Sequence, residues 1–90
     1  PKMKKGKMKM QTILNYAKEI VNEIYKYDEH WNYNILIEPN EIQLVTKDWD
    51  IVHTIMFANN SFNVTLDYGY CGDIDDSFET VKDAIDFIFN

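Results

Sequence analysis

Ninety residues, 46% of them hydrophobic and 14% aromatic, suffice for one small domain with a single core. Charge is split along the chain: Lys2, Lys4, Lys5, Lys7 and Lys9 crowd the start, and from residue 10 onward four lysines oppose fifteen carboxylates, a balance of −11. So acidic a body repels nucleic acid and attracts whatever binds polyanions, which argues against direct nucleic-acid binding by residues 10–90.

Residues 1–9 read as a disordered basic tail, and residues 10–90 as one α+β domain. Pro1 is not an initiator residue, so Met3, Met8 and Met10 are candidate starts. Ile13, Leu14, Ala17, Ile20, Val21, Ile24 and Tyr25 share one face at helical spacing, which predicts a first helix from about Met10 to Tyr27. From Tyr33 to Tyr68 the period changes to two, the signature of strands with one buried face. Tyr33, Ile35 and Ile37 define the first strand. Glu38-Pro39-Asn40-Glu41 supplies a turn, Ile42 and Leu44 a second strand, and Lys47-Asp48-Trp49-Asp50 another turn.

The third strand is expected over Ile51–Ala58. Asn59-Asn60 then marks a two-residue hairpin, because asparagine tolerates the positive φ such a turn requires. The turn sets a register: Ala58 faces Ser61, Phe57 pairs with Phe62, Ile55 with Val64, His53 with Leu66 and Ile51 with Tyr68. A slip of one residue would turn Phe62, Val64 and Leu66 out to water. Residues 69–75 read as a loop. Asp76 or Ser77 is expected to cap a second helix, with Glu79 completing a capping box and Phe78, Val81, Ile85, Ile88 and Phe89 forming its apolar stripe. The expected fold is a two-layer α+β sandwich of order α-β-β-β-β-α. It has a four-stranded antiparallel meander and both helices on one face. The opposite face, with Val52, Thr54 and Met56, is left to solvent, to a partner or to a homodimer.

No apolar run reaches the roughly 18 residues of a membrane span and no leader pattern opens the chain, so a soluble, cytoplasmic protein without membrane contact is expected. Cys71 stands alone, without a disulfide or cluster partner. Asp73, Asp75 and Asp76 lack the glycine and the distant bidentate glutamate of a calcium loop, and no metal or cofactor is expected. Gly69 and Gly72 do not make a phosphate-cradling motif. His53 is expected on the inner face, and neither it nor His30 has a nucleophile placed to use it, so the chain is not expected to be an enzyme.

The carboxylates near the C-terminus are the best candidates for function. On a helix beginning at Asp76, the residues Asp76, Glu79, Asp83 and Asp86 would form one ridge about 15 Å long. Asp73 and Asp75 extend it and Asp67 lies close by. Such a face can be mere solvated surface, but Glu79 and Asp83 at i, i+4 spacing would repel each other, a cost to folding. Tyr68, Tyr70 and Phe87 supply aromatic anchors beside the charges, the composition of a protein-binding hot spot. In general character, short, acidic, single-domain and without motif, the chain resembles small phage-type inhibitors of bacterial defence nucleases, of the anti-CRISPR and anti-restriction kind. The resemblance is one of type and assigns no site residue. It implies an inhibitor that occupies the basic groove of a nucleic-acid-binding enzyme. The alternative is an antitoxin, immunity protein or small regulatory subunit that binds a basic partner protein.

Overall fold

A computed structural model describes residues 12–90, so the expected basic tail and Met10 lie outside the described residues. The chain enters through a 3-10 turn, Ile13–Tyr16, and continues as helix α1, Ala17–Ile24. Asn15 Oδ1 accepts from the Thr12 backbone N–H at 2.8 Å, satisfying a donor that the helix start leaves free. Ile13, Ile20 and Ile24 are buried, as the periodicity predicts, whereas Leu14 and Tyr25 are exposed. The tighter winding before α1 and its end at Ile24 take both side chains off the apolar stripe. A second 3-10 turn, Asp28–Asn32, leads into the sheet.

The sheet is an antiparallel meander of β1 (Tyr33–Ile37), β2 (Ile42–Thr46), β3 (Val52–Ala58), β4 (Ser61–Asp67) and β5 (Asp73–Phe78), in that spatial order. Asn59 and Asn60 adopt φ of 56° and 61°, and the β3–β4 register is the expected one: Ala58↔Ser61, Phe57↔Phe62, Ile55↔Val64 and His53↔Leu66. The ladder ends at Val52↔Asp67, so the expected Ile51 to Tyr68 pair does not form part of it. In the β2–β3 turn, Asp48 Oδ1 accepts from Thr46 Oγ1 at 2.8 Å and from the Asp50 N–H at 3.1 Å. Those bonds brace Trp49 at φ 64°, a conformation uncommon for a bulky residue.

The fifth strand corrects the four-stranded expectation. Residues 73–78 are neither loop nor helix start: they pair along β4 from Phe62↔Phe78 to Asp67↔Asp73. Carboxylates disfavour strands intrinsically, but long-range pairing of Leu66↔Ile74 and Phe62↔Phe78 outweighs that local preference. The second helix, α2, accordingly starts later, at Val81, and runs to Phe89. Its cap is Thr80, whose Oγ1 accepts from the Asp83 N–H at 3.1 Å, and the expected Asp76/Glu79 capping box does not form.

Both helices lie on one face of the sheet. Ile20 and Ile24 of α1 and Val81, Ala84, Ile85 and Ile88 of α2 pack with Ile42, Leu44, Ile55, Phe62, Val64 and Leu66 in one buried cluster. Tyr16 adds edge-to-face and tilted contacts to Phe62 and Phe57, with ring centroids 4.9 and 4.8 Å apart. The α1 and α2 helices touch each other, and α2 rests on β4 and β5. The acidic end of the sheet is therefore the end that α2 covers.

Candidate functional site

The β4-to-β5 connection sets the site's geometry. Asp67 Oδ1 accepts from the Gly69 N–H at 2.9 Å, and the Tyr68 N–H donates to Gly72 O at 3.3 Å, closing a short loop that contains the 3-10 turn Gly69–Cys71. Gly72 leaves this loop at φ 91°, ψ −178°, a conformation open essentially to glycine alone. The loop turns Tyr70 fully into solvent and returns the chain as β5.

Because β5 is extended, the expected helical ridge is divided. Asp76 lies opposite Val64, on the helix side of the sheet, while Asp73 and Asp75 alternate onto the outer face opposite Asp67 and Thr65. Glu79 stands in the short connection, and only Asp83 and Asp86 belong to α2. Of the ten expected residues, Asp67, Asp73 and Asp75 share the outer face and Tyr68, Asp83, Asp86 and Phe87 share a groove, while Tyr70, Asp76 and Glu79 join neither group. On the outer face Asp67 and Asp73 oppose each other directly. The Asp67 carboxylate is the main cause that holds the Asp73 carboxyl above its usual range, with Asp75 adding to it.

On the other side of β5, Tyr68, Asp83, Asp86 and Phe87 line a groove of about 620 Å³ together with Leu66, Ile74, Phe78 and Asn90. Its floor is apolar: Phe78 and Phe87 meet at 5.1 Å between ring centroids, and Ile74 is 52% exposed. Its rim is acidic. Asp86 is not free, however, since its Oδ1 accepts from the Tyr27 hydroxyl at 2.7 Å and from Asn90 Nδ2 at 2.6 Å. That hydrogen bond to a carboxylate pushes the Tyr27 hydroxyl up to about 12, and Tyr27 stacks on Phe89 at 4.8 Å. Asp86 therefore ties the segment after α1 to α2 as well as lining the groove.

The sequence marks Leu66 and Phe78 as core residues only, and does not mark Ile74 or Asn90. Ile74 and Phe78 lie on one face at strand spacing, but Asp76 between them breaks the apolar alternation, and three aspartates in four residues mask the strand.

Little opposes this negative charge. Among the described residues the one ion pair within 4.0 Å is Lys26 with Glu23, at 2.7 Å, on α1 and the turn after it. Lys82 approaches none of its acidic neighbours that closely. The remaining candidates carry less. His53 is buried between Tyr33 and Tyr68, at 5.7 and 5.1 Å between ring centroids, and its Nδ1 has no hydrogen-bond partner among the described residues. Burial lowers its pKa, against an opposing pull from the Asp67 carboxylate. Trp31 and Trp49 are exposed at the opposite side of the sheet from β5 or in the β2–β3 turn. Among the described residues no three His, Cys, Asp or Glu side chains gather as a metal-binding group, and no helix is long and apolar enough to cross a membrane.

The chain matches no protein-family model, and neither the curated proteins nor the solved structures provide a match. The reading of the β5–α2 flank rests on its own chemistry.

Proposed function

We propose that this protein is a small acidic interaction module that inhibits a nucleic-acid-binding enzyme by occupying its basic groove with the β5–α2 flank. The observation that carries the reading is Asp67 facing Asp73 across the β4–β5 ladder without a cation in reach among the described residues. Like charges directly opposite destabilise a sheet. A cationic cleft that accepts both carboxylates converts this folding cost into binding. Spacing supports the same reading: alternate residues of a strand, such as Asp73 and Asp75, lie about 7 Å apart, close to two phosphate steps of a DNA strand at about 3.4 Å each.

A second reading is favoured by the groove. An apolar floor of Ile74, Phe78 and Phe87 inside an acidic rim suits a protein side chain flanked by lysine or arginine, which a phosphate imitation does not require. That arrangement fits an antitoxin or immunity protein holding a basic toxin.

Competition separates the two. The protein immobilised on resin captures a basic partner from cell extract, the partner is identified by mass, and binding is repeated with purified components. Double-stranded DNA displaces the partner under the first reading, and raised salt weakens the complex. Capture that DNA leaves untouched, by a partner with no nucleic-acid site, rejects the first reading in favour of the second.

A further inference from the structure

The opposite edge of the sheet is built for a different contact. Strand β1, Tyr33–Ile37, carries no charged side chain, and no strand pairs with its outer side among the described residues. The Glu38 N–H donates to Glu41 O at 2.9 Å, which makes that pair a hydrogen-bonded one. Antiparallel alternation then makes Ile37↔Ile42, Ile35↔Leu44 and Tyr33↔Thr46 non-hydrogen-bonded pairs, so Tyr33, Ile35 and Ile37 direct their backbone groups away from β2. The Tyr33 N–H is used, donating to His30 O. The Ile35 and Ile37 N–H groups and the carbonyls of all three residues lie along the open edge. A cleft of about 370 Å³ lined by Tyr25, His30, Trp31, Tyr33, Asn34 and Ile35 runs beside it.

We propose that β1 pairs antiparallel with β1 of a second copy of this chain, with Ile35 opposite Ile35 on a two-fold axis, joining the two sheets into one of ten strands. The register is self-complementary. Each Ile35 N–H donates to the other copy's Ile35 carbonyl, and each Ile37 N–H donates to the other copy's Tyr33 carbonyl, which makes four hydrogen bonds. The Tyr33 N–H, already used, is not required. Ile37, 50% exposed in one chain, comes to lie beside Tyr33 of its mate, an aromatic and β-branched pair. Charge selects this edge over the other, because β5 carries Asp73, Asp75 and Asp76 whereas β1 carries none. Pairing at β1 also leaves both acidic flanks at the outer ends of the joined sheet.

Sedimentation velocity over a concentration series, at about 0.05 M and about 0.5 M NaCl, tests this directly. A monomer–dimer equilibrium is expected that tightens with salt, as screening relieves repulsion between two chains of net charge −6. Ile35→Pro removes a central donor, and Ile37→Lys, at an exposed position that spares the fold, weakens the dimer about tenfold or more. Met56→Lys, on the outer sheet face, leaves it unchanged. In wild type, hydrogen exchange at the Ile35 and Ile37 amides slows as protein concentration rises. A monomer at every concentration and salt, or a dimer broken by Met56→Lys and not by Ile37→Lys, overturns the proposal. Because this contact is uncharged and strengthens with salt, its failure is independent of the β5–α2 reading, whose complex weakens with salt.

Discussion

Both edges of the sheet leave a row of backbone groups unpaired among the described residues, yet β1 and β5 manage that exposure in opposite ways. Strand β5 is short of apolar side chains and carries three aspartates, the kind of edge that repels further strands. Strand β1 reads Tyr-Asn-Ile-Leu-Ile, rich in strand-forming residues, uncharged, and followed by Pro39 only beyond its end. Edge protection alone accounts for charge on β5 but not for its absence on β1. Nor does it account for Asp67 on β4, one strand in from the edge, placed opposite Asp73. The contrast is what the two proposed contacts require: a cationic partner at β5, and at β1 the uncharged edge of a second copy.

The largest expected effect tests the support that the acidic edge receives. Ile85 of α2 is fully buried, and Ile85→Ala should destabilise the fold by about 2–5 kcal/mol in urea titration. Because α2 rests mainly on β4 and β5 and meets β1 through Phe89 against Tyr33, amide protection should fall furthest along β5. Equal loss along β1 would erase the asymmetry. Next, Asp73, Asp75 and Asp76 changed together to Asn would make β5 as neutral as β1. Assemblies larger than a dimer should then appear in light scattering, since each chain presents two open edges. An unchanged distribution would mean that something other than charge guards β5.

Two smaller effects concern pH. Burial beside Tyr33 and Tyr68 lowers the pKa of His53 from its ordinary 6.5. The unfolded chain therefore binds a proton that the folded chain refuses. The contribution of His53 is complete above about pH 6.5 and is lost as pH falls toward the lowered folded value. The urea midpoint of wild type should accordingly fall relative to that of His53→Leu on acidification from pH 7.5 to pH 5, and a constant difference would contradict the lowered pKa. The Asp73 carboxyl has the opposite sign. Its raised pKa means that the folded chain takes up a proton before the unfolded one, so acidification relieves its repulsion from Asp67. Asp73→Asn should raise the thermal midpoint at pH 7, and the gain should vanish once Asp73 is protonated in wild type. A lower midpoint at pH 7 would mean that the carboxylate stabilises the folded chain.

The parts of this fold legible from sequence are those fixed by local patterns. Asn59-Asn60 sets the turn, and the alternation of Ile55, Phe57, Phe62 and Val64 sets the register, so the central hairpin follows from neighbours in sequence. Strand β5 does not. Its aspartates match helix-capping chemistry, and what holds them extended is the open side of β4, which sequence order does not advertise. The same substitution of strand for helix moved the candidate site. Tyr68, Asp83, Asp86 and Phe87, which the sequence marks, do meet in one groove, but Ile74 and Phe78, which form its floor, lie where the local pattern predicts a loop and a helix start. The second role of Asp86 is not legible in sequence, because its hydrogen bond to Tyr27 joins residues 59 positions apart.

The central claim is that these carboxylates are kept for binding at the expense of folding. The most direct measurement is the affinity of the purified basic partner for a variant with Asp73, Asp75, Asp76 and Asp83 changed to Asn, by calorimetry at about 0.15 M salt. The account predicts a folded variant bound about a hundredfold more weakly. Affinity equal to that of the parent chain would contradict it.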